Sequence, residues 1–306
     1  MNVEKVFSTI DTHVAGEAFR IVMHSSIILN KKDIKSNHHL LQSAYQNEKE
    51  LLLNEPRGHR GINGCIVIPS NTADYGLLFF NHDSEVQFKY GGLPATITAL
   101  LETGNLVEKR DNIYRIETLH GIFTVRASFN NQAVTSVYFE SKECRVVKKE
   151  PAYSLVEVDG YRNYLVYALP NTIPAITLRD LSSINRWGRE TTEALTSSGV
   201  RFDGIIIAEP TGVSTNEFRS VTFEKDGCLL RSPGMDSTLA LLMAQLNTSN
   251  PQAQLANRSI FESVLIAKVI PATKNRFSIE ARAFTTGMHQ FIYDQTDPLK
   301  NGFLLK

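Results

Sequence analysis

The sequence predicts an α/β (α+β) fold in two similar halves, each with β segments, one central helix and further β segments. Three observations lead there. At 306 residues the chain is longer than a typical single domain, and two domains of its length would each hold a core. Short apolar or alternating runs bounded by turn residues recur along it, which is the pattern of strands. Two stretches, Phe88-Lys89-Tyr90-Gly91-Gly92 and Arg231-Ser232-Pro233-Gly234-Met235-Asp236, each lead into an apolar helix, one in each half.

Taken in order, Phe19–Leu29, Gly64–Pro69 and Gly76–Phe80 read as strands, with Leu40–Leu53 as an amphipathic helix between the first two. A central helix follows over Pro94–Gly104. Proline is tolerated in a first turn, where its missing N–H costs no hydrogen bond, and Gly104 supplies the stop. Tyr114–Glu117 and Gly121–Ala127 complete the first half as strands. In the second half Val134–Glu140, Tyr164–Ala168, Gly204–Glu209 and Glu217–Phe223 read as strands and Leu181–Ser198 as a helix. Pro233-Gly234-Met235-Asp236-Ser237 then opens a helix through Thr238–Leu246, which ends before the polar run Asn247-Thr248-Ser249-Asn250-Pro251. Both special stretches therefore lie at strand-to-helix turns. Helix N-termini present unpaired N–H groups and the positive end of the dipole, which suits a carboxylate ligand.

The 32 basic and 32 acidic residues cancel, which argues against a general nucleic-acid or anionic-membrane binder, since either needs a basic face. Met1-Asn2-Val3-Glu4-Lys5 does not lead into an apolar run, so no signal peptide is expected, and no stretch of about 18 apolar residues offers a membrane span. The expected setting is cytoplasmic. Cys65, Cys144 and Cys228 lack C-x-x-C spacing, which fits a reducing compartment and disfavours a structural zinc site. Cys65 leads the apolar run Ile66-Val67-Ile68 and reads as a small buried hydrophobe, while Cys228 is the thiol nearest either turn. His38-His39 are expected on the surface and Trp187 in the core. Metal-ligand spacing, a phosphate-binding glycine loop and a nucleophile elbow are all missing from the sequence, so no cofactor is expected.

Several ordered blocks carry a family resemblance. Asp11-Thr12-His13-Val14-Ala15-Gly16-Glu17-Ala18-Phe19-Arg20-Ile21-Val22 follows D-T-H-x-A-G-E-P-x-R-I-V, with Ala18 in place of proline. Glu55-Pro56-Arg57-Gly58-His59 followed by Gly64 follows E-P-R-G-H, Gly160-Tyr161-Arg162-Asn163-Tyr164 stands where G-G-N-F is expected, and Arg231-Ser232-Pro233 keeps R-S-P. Thr286-Gly287-Met288-His289-Gln290-Phe291 follows T-G-x-H-x-F, and Asp297-Pro298-Leu299 through Gly302-Phe303-Leu304-Leu305 follows D-P-L-x-x-G-F-L-L. Over nearly its whole length the sequence resembles the proline racemase and hydroxyproline epimerase family. Members of that family remove a proton from the α-carbon of a cyclic amino acid with one thiolate and return one from a second thiol. The resemblance implies a diaminopimelate-epimerase-like fold of two pseudo-symmetric domains, each a curved sheet around a central helix. Residues 1–125, with 287–306 packing back on them, would form one, and 126–286 the other. In the family the two helix ends cradle the substrate's carboxylate across an interdomain cleft.

Both catalytic cysteines of the family pattern are missing. With the family's E-T-G placed on Glu102-Thr103-Gly104, the first cysteine falls on Lys89, its following glycine on Tyr90 and the histidine on Gly91. A shifted alignment pairing Thr96-Ile97 with T-I puts Gly92 at the cysteine instead. Arg231-Ser232-Pro233 fixes the second motif: the cysteine becomes Gly234, the glycine Met235, the threonine Asp236 and the next glycine Ser237, with Thr238 kept. The aspartate before R-S-P becomes Leu230, so with Gly91 both family partners of the substrate's amine are lost. Two-base racemisation needs a proton acceptor and a donor on opposite faces, and glycine is neither.

Lys89 and Asp236 are the candidate catalytic residues. A lysine in a desolvated cleft serves as a base or a Schiff-base nucleophile. Asp236 at a helix N-terminus would repel a substrate carboxylate unless paired, and Lys89 is the expected partner. The structural alternatives are a solvated strand-end lysine and a helix cap. Tyr90, Gly91, Gly92, Gly234, Met235, Ser237 and Thr238 are the candidate substrate-binding residues, while His13, Glu17, Arg57 and His59 are expected to fix loops. The expected function is that of a diverged, cofactor-independent isomerase or lyase using one base on a small amino-acid-like or cyclic substrate. The alternative is a catalytically dead family member that binds a metabolite or a partner enzyme. The expected partner is a small-molecule substrate, with neither nucleic acid nor membrane, and the homodimer is the oligomer to test for.

Overall fold

The computed structural model describes residues 2–30, 33–83, 88–212, 216–246, 254–271, 273 and 275–304, so the polar run 247–251 and Leu305 lie outside the described residues. The chain forms two compact units, residues 1–137 with 282–306 and residues 138–281. Unit 1 opens with β1 (Val3–Val14) and β2 (Glu17–His24). The two are joined by a tight turn at Ala15-Gly16, both at positive φ. Helices α1 (Ile34–Ala44) and α2 (Gln46–Leu53) lead to β3 (Asn63–Ile68) and β4 (Tyr75–Phe80). Helix α3 (Gly92–Glu102) leads to β5 (Ile113–Thr118), β6 (Gly121–Asn130) and β7 (Ala133–Glu140). Unit 2 continues with β8 (Cys144–Lys149), β9 (Tyr153–Val158), β10 (Arg162–Ala168), α4 (Leu181–Ser197), β11 (Gly204–Pro210) and β12 (Glu217–Glu224). It ends with α5 (Met235–Leu246), β13 (Gln254–Arg258), β14 (Val264–Val269) and β15 (Phe277–Ala281), after which β16 (Ala283–Asp294) returns to unit 1.

The hydrogen-bonded strand order is β16-β1-β2-β3-β4-β5-β6-β7 in unit 1 and β8-β9-β10-β11-β12-β13-β14-β15 in unit 2. The two orders match strand for strand, and the directions match as well. β1/β2 and β9/β10 are antiparallel, and β2/β3 and β10/β11 are parallel. β3/β4 and β11/β12 are antiparallel, and β4/β5 and β12/β13 are parallel. Helices α3 and α5 occupy the same crossover in each, between β4 and β5 and between β12 and β13. Both helices are apolar on every side, which only burial satisfies: α3 is buried from Gly92 to Leu100 and α5 from Met235 to Ala244. α3 packs on β1, β2, β6 and β16, and α5 on β8 to β11, β13 and β14, so each sheet curves round its own helix. α4 instead lies outside its sheet, burying Ile184, Gly188 and Thr192 four residues apart.

Two readings are corrected by the backbone. The helix expected over Leu40–Leu53 is two helices that meet at Tyr45 (φ −122°, ψ 35°). Tyr45 leaves the helical conformation, its hydroxyl accepts a bond from the Ile28 N–H (3.1 Å), and each helix buries its own leucines. The boundary between units falls within β7 rather than at residue 125. Asn131 and Gln132 (φ +47° and +71°) form a two-residue hairpin turn that keeps the start of β7 beside β6.

His38, expected on the surface, lies on the buried face of α1. Burial, with Lys49 nearby, lowers its imidazole below the ordinary value. The unfolded chain therefore takes up a proton near pH 6.5 that the folded unit resists, so stability is complete above about pH 6.5 and falls as the pH drops below it. We expect the melting temperature to drop between pH 7.5 and 5.5, and to drop less in His38→Leu. Equal drops in the two proteins would exclude His38 as the cause.

Candidate active site

The first turn joins β4 to α3. Phe88 and Tyr90 are fully buried, with centroids 5.0 Å apart, and both pack on Phe123 at 4.9 and 5.5 Å. Tyr90 is thus a core residue and offers no surface to a ligand. Lys89, between them, is also buried (8% exposed), and its Nζ lies 3.3 Å from Oε1 of Glu17, itself 3% exposed. Glu17 is the first residue of β2, so the tight Ala15-Gly16 turn sets where its side chain starts, and Asn63 Nδ2 donates to the same oxygen at 3.4 Å. A Cβ on Gly91 would lie 2.7 Å from the Phe19 ring and 3.0 Å from Glu17 Oε2, so the glycine is what lets the carboxylate approach. A Cβ on Gly92 would lie 2.3 Å from the Phe79 ring and 3.6 Å from Cys65 Sγ, so a side chain there would run into the core. Burial pushes the Cys65 thiol far up, with the charge of Glu17 adding to it, and this cysteine is a packing residue.

The second turn, before α5, is locked by its own polar groups. Gly234 N–H donates to Ser232 Oγ (3.1 Å), and both the N–H and the hydroxyl of Thr238 donate to the Gly234 carbonyl (2.9 and 2.6 Å). Asn257 Nδ2 donates to Thr238 Oγ1 (3.0 Å) and the Pro233 carbonyl (3.2 Å), and Ser220 Oγ donates to Asn257 Oδ1 (2.7 Å). Thr222 Oγ1 donates to Ser237 Oγ at 2.9 Å. Ser237 and Thr238 therefore spend these hydroxyl contacts on the turn itself, and Met235 is buried in the core. Asp236, on the first turn of α5, pairs with Arg162 Nη1, while Arg162 Nη2 donates to Asp159 Oδ2 at 2.5 Å. Burial opposes the charge on Arg162, but Asp236 and Asp159 more than offset it and hold the guanidinium above its ordinary range. Burial and the charge of Asp236 likewise push the Tyr164 phenol well up.

Two expectations change accordingly. Lys89 is not a solvated strand-end residue, and the partner of Asp236 is Arg162 rather than Lys89. Glu17 and Arg162 were the residues that motif reading undervalued. The signal in the sequence was that each lies in a motif block just after a glycine turn, Glu17 after Gly16 and Arg162 two residues after Gly160. Cys228 lies in the turn after β12, its N–H donating to Asp226 Oδ1 at 2.9 Å. Among the described residues, no three His, Cys, Asp or Glu side chains are grouped to hold a metal ion, and no helix is long and apolar enough to cross a membrane.

The remaining motif blocks build the frame of unit 1. Asp11 and Arg20 face each other across β1 and β2 in a forked ion pair of 2.7 to 3.3 Å, and Arg20 Nη1 donates to the carbonyls of Leu52 (2.5 Å) and Arg57 (2.7 Å). Arg57 Nη2 in turn donates to the carbonyls of Leu299 (2.9 Å) and Lys300 (2.7 Å), which anchors the segment after β16. His13 stacks on Phe284 at 5.3 Å and His59 Nδ1 contacts the Arg60 carbonyl at 3.0 Å.

Gly234 sits at φ +67°, and a Cβ there would lie 2.7 Å from Leu230 Cδ2. Restoring the thiol with Gly234→Cys should therefore cost about 1–2 kcal/mol from the left-handed backbone alone. Urea unfolding would read this cost, and an unchanged midpoint would show that the turn relaxes.

The proline racemase family profile matches residues 9–163. The chain is 30% identical to a trans-3-hydroxy-L-proline dehydratase of Bacillus thuringiensis subsp. konkukian, over 100% of both proteins. It is 23% identical to a 4-hydroxyproline 2-epimerase of Cereibacter sphaeroides, again over 100% of both. Among solved structures, the hydroxyproline epimerase from Agrobacterium vitis with bound trans-4-hydroxy-L-proline superposes with a TM-score of 0.84 at 18% identity, covering 100% of this chain and 96% of the other. A phenazine biosynthesis protein of the PhzF family from Bacillus anthracis has a TM-score of 0.63 at 12% identity, covering 94% and 99%. The fold is thus the diaminopimelate-epimerase-like one that these proteins share, and the chain belongs to the proline racemase family.

Proposed function

We propose that the chain is a cofactor-independent, lyase-type enzyme acting on a small cyclic amino acid, with Lys89 and Glu17 as a coupled acid and base where the family pattern has its first thiol. The observation that carries this reading is the buried 3.3 Å contact between ammonium and carboxylate at the first turn. An elimination needs a base for the α-proton and an acid for the leaving group, and the pair holds one of each. Glu17 takes the α-proton, the electrons of the broken C–H bond form the Cα–Cβ double bond, and the Cβ–O bond breaks. The ammonium of Lys89 protonates the departing hydroxide, which leaves as water. The proton on Glu17 then crosses to Lys89 and restores the pair. Two-base racemisation is not the proposed reaction, because Gly234, which stands where the family pattern has its second thiol, carries neither an acid nor a base.

Trans-3-hydroxy-L-proline is the first substrate to test, since its hydroxyl lies on the β-carbon and the 30% identical relative is named for it. Incubation in D2O with this compound, trans-4-hydroxy-L-proline and L-proline should release water from the first alone. Epimerisation or racemisation of the other two at a comparable rate would overturn the proposal. A second reading, a family member that binds a metabolite or partner without turnover, is favoured by the buried Arg162–Asp236 pair, which would also serve a purely structural turn. Binding of all three compounds with no turnover would select it.

A further inference from the structure

We infer that Asn63 is a positioning residue for the proposed reaction, acting through Glu17 by holding its carboxylate against Lys89. Asn63 is the first residue of β3 and is 4% exposed. Its Nδ2 donates to Glu17 Oε1 at 3.4 Å and to the Ala18 carbonyl at 3.3 Å. A carboxamide nitrogen carries two hydrogens, so one serves the side chain of Glu17 and the other the main chain of the next residue. The amide therefore ties the carboxylate to its own strand. Lys89 Nζ reaches the same Oε1 at 3.3 Å, from the turn before α3. An ammonium on a flexible stem is a point charge that attracts a carboxylate from many directions, whereas a planar amide fixes one. Lys89 supplies the charge and Asn63 the direction.

Comparison within the internal repeat separates this role from strand pairing. In unit 1 the third residue of β2, Phe19, stands opposite the first residue of β3, Asn63. In unit 2 the third residue of β10, Tyr164, stands opposite the first residue of β11, Gly204. The register is the same, yet the second sheet is built with no side chain at that place. There the strand-start charge, Arg162, is gripped by Asp159 from the preceding hairpin turn instead. Packing alone also gives little reason for a buried amide, because taking one out of water is unfavourable unless its hydrogen bonds are remade. Holding a buried carboxylate in one direction does account for it.

This role depends on Lys89 and Glu17 being the proposed acid and base, so its test reads their geometry as well as turnover. Crystal structures of the wild type and Asn63→Leu give the Lys89 to Glu17 contact without substrate, and assays with trans-3-hydroxy-L-proline give kcat and KM per folded protein. Without the amide the carboxylate should turn away, so that the contact opens beyond about 4 Å. kcat should then fall about 10–100-fold with KM within about twofold of wild type, because a base misplaced by an ångström loses rate rather than binding. Where Asn63→Leu does not fold, Asn63→Ala takes its place, since the repeat holds a glycine at the matching position. An unchanged contact in the folded variant overturns the inference, as does an unchanged kcat. A loss carried by KM also overturns it, by making Asn63 a substrate-binding residue. If the contact opens and the wild type converts no substrate, the proposed function falls while the hold of Asn63 on Glu17 stands. An active wild type whose variant keeps the contact would sink the role of Asn63 alone.

Discussion

Glu17→Gln and Lys89→Ala should each lower turnover of the true substrate by about 10²–10⁴-fold, the range for losing one positioned acid or base. Both variants break a buried ion pair, so each should also lose about 3 kcal/mol of stability, and activity must be measured on protein shown to be folded. Lys89→Arg separates the two effects. It keeps a cation beside Glu17 and should fold, yet a guanidinium is a much weaker general acid than an ammonium toward a departing hydroxide, so turnover should fall well below wild type. A Lys89→Arg protein working at the wild-type rate would reduce Lys89 to scaffold.

The other large effect is expected at Arg20, three residues along β2 from Glu17. Its guanidinium binds Asp11 in a fork, donates to the carbonyls of Leu52 and Arg57 and lies 4.3 Å from the Phe291 ring, tying β1, β2, α2 and β16 together. Arg20→Ala should cost about 3–5 kcal/mol, because Asp11 keeps its charge without its main partner and two carbonyls lose their donor. Arg20→Lys should recover only part of this, since an ammonium cannot make the fork. Urea unfolding checks both, and an Arg20→Ala variant within about 0.5 kcal/mol of wild type would show the network to be redundant.

The apolar elements were legible in the sequence because their patterns are local. The strands at 64–69, 76–80 and 204–209 and the two central helices stand within a residue or three of where the residues place them. What was not legible has specific reasons. β16 buries only Ala283 and Tyr293, so it carries no alternating apolar signal, and β1 interleaves Thr9, Asp11 and His13 with its apolar residues. The break at Tyr45 has no glycine or proline to announce it. The site was half legible. Motif order located both turns, but the partners of Lys89 and Asp236 lie 72 and 74 positions away along the chain, and only the sheet register brings them together. Motif reading also gave Glu17 and Arg57 the same structural role, whereas the fold sends one to Lys89 and the other to the segment after β16.

The return of β16 to unit 1 also sets an order of events during synthesis. Unit 2 is a continuous stretch, 138–281, whereas unit 1 needs 282–306 as well. When residue 281 has left the ribosome, unit 2 is complete while β1, which has β2 on one side, still lacks β16 on the other, to which it is paired from Val3 to Val14. The half translated first is therefore the last to close. Until it does, a twelve-residue strand edge stands open on the nascent chain, and the interval between residues 137 and 294 is when this protein most needs protection from pairing with a neighbour.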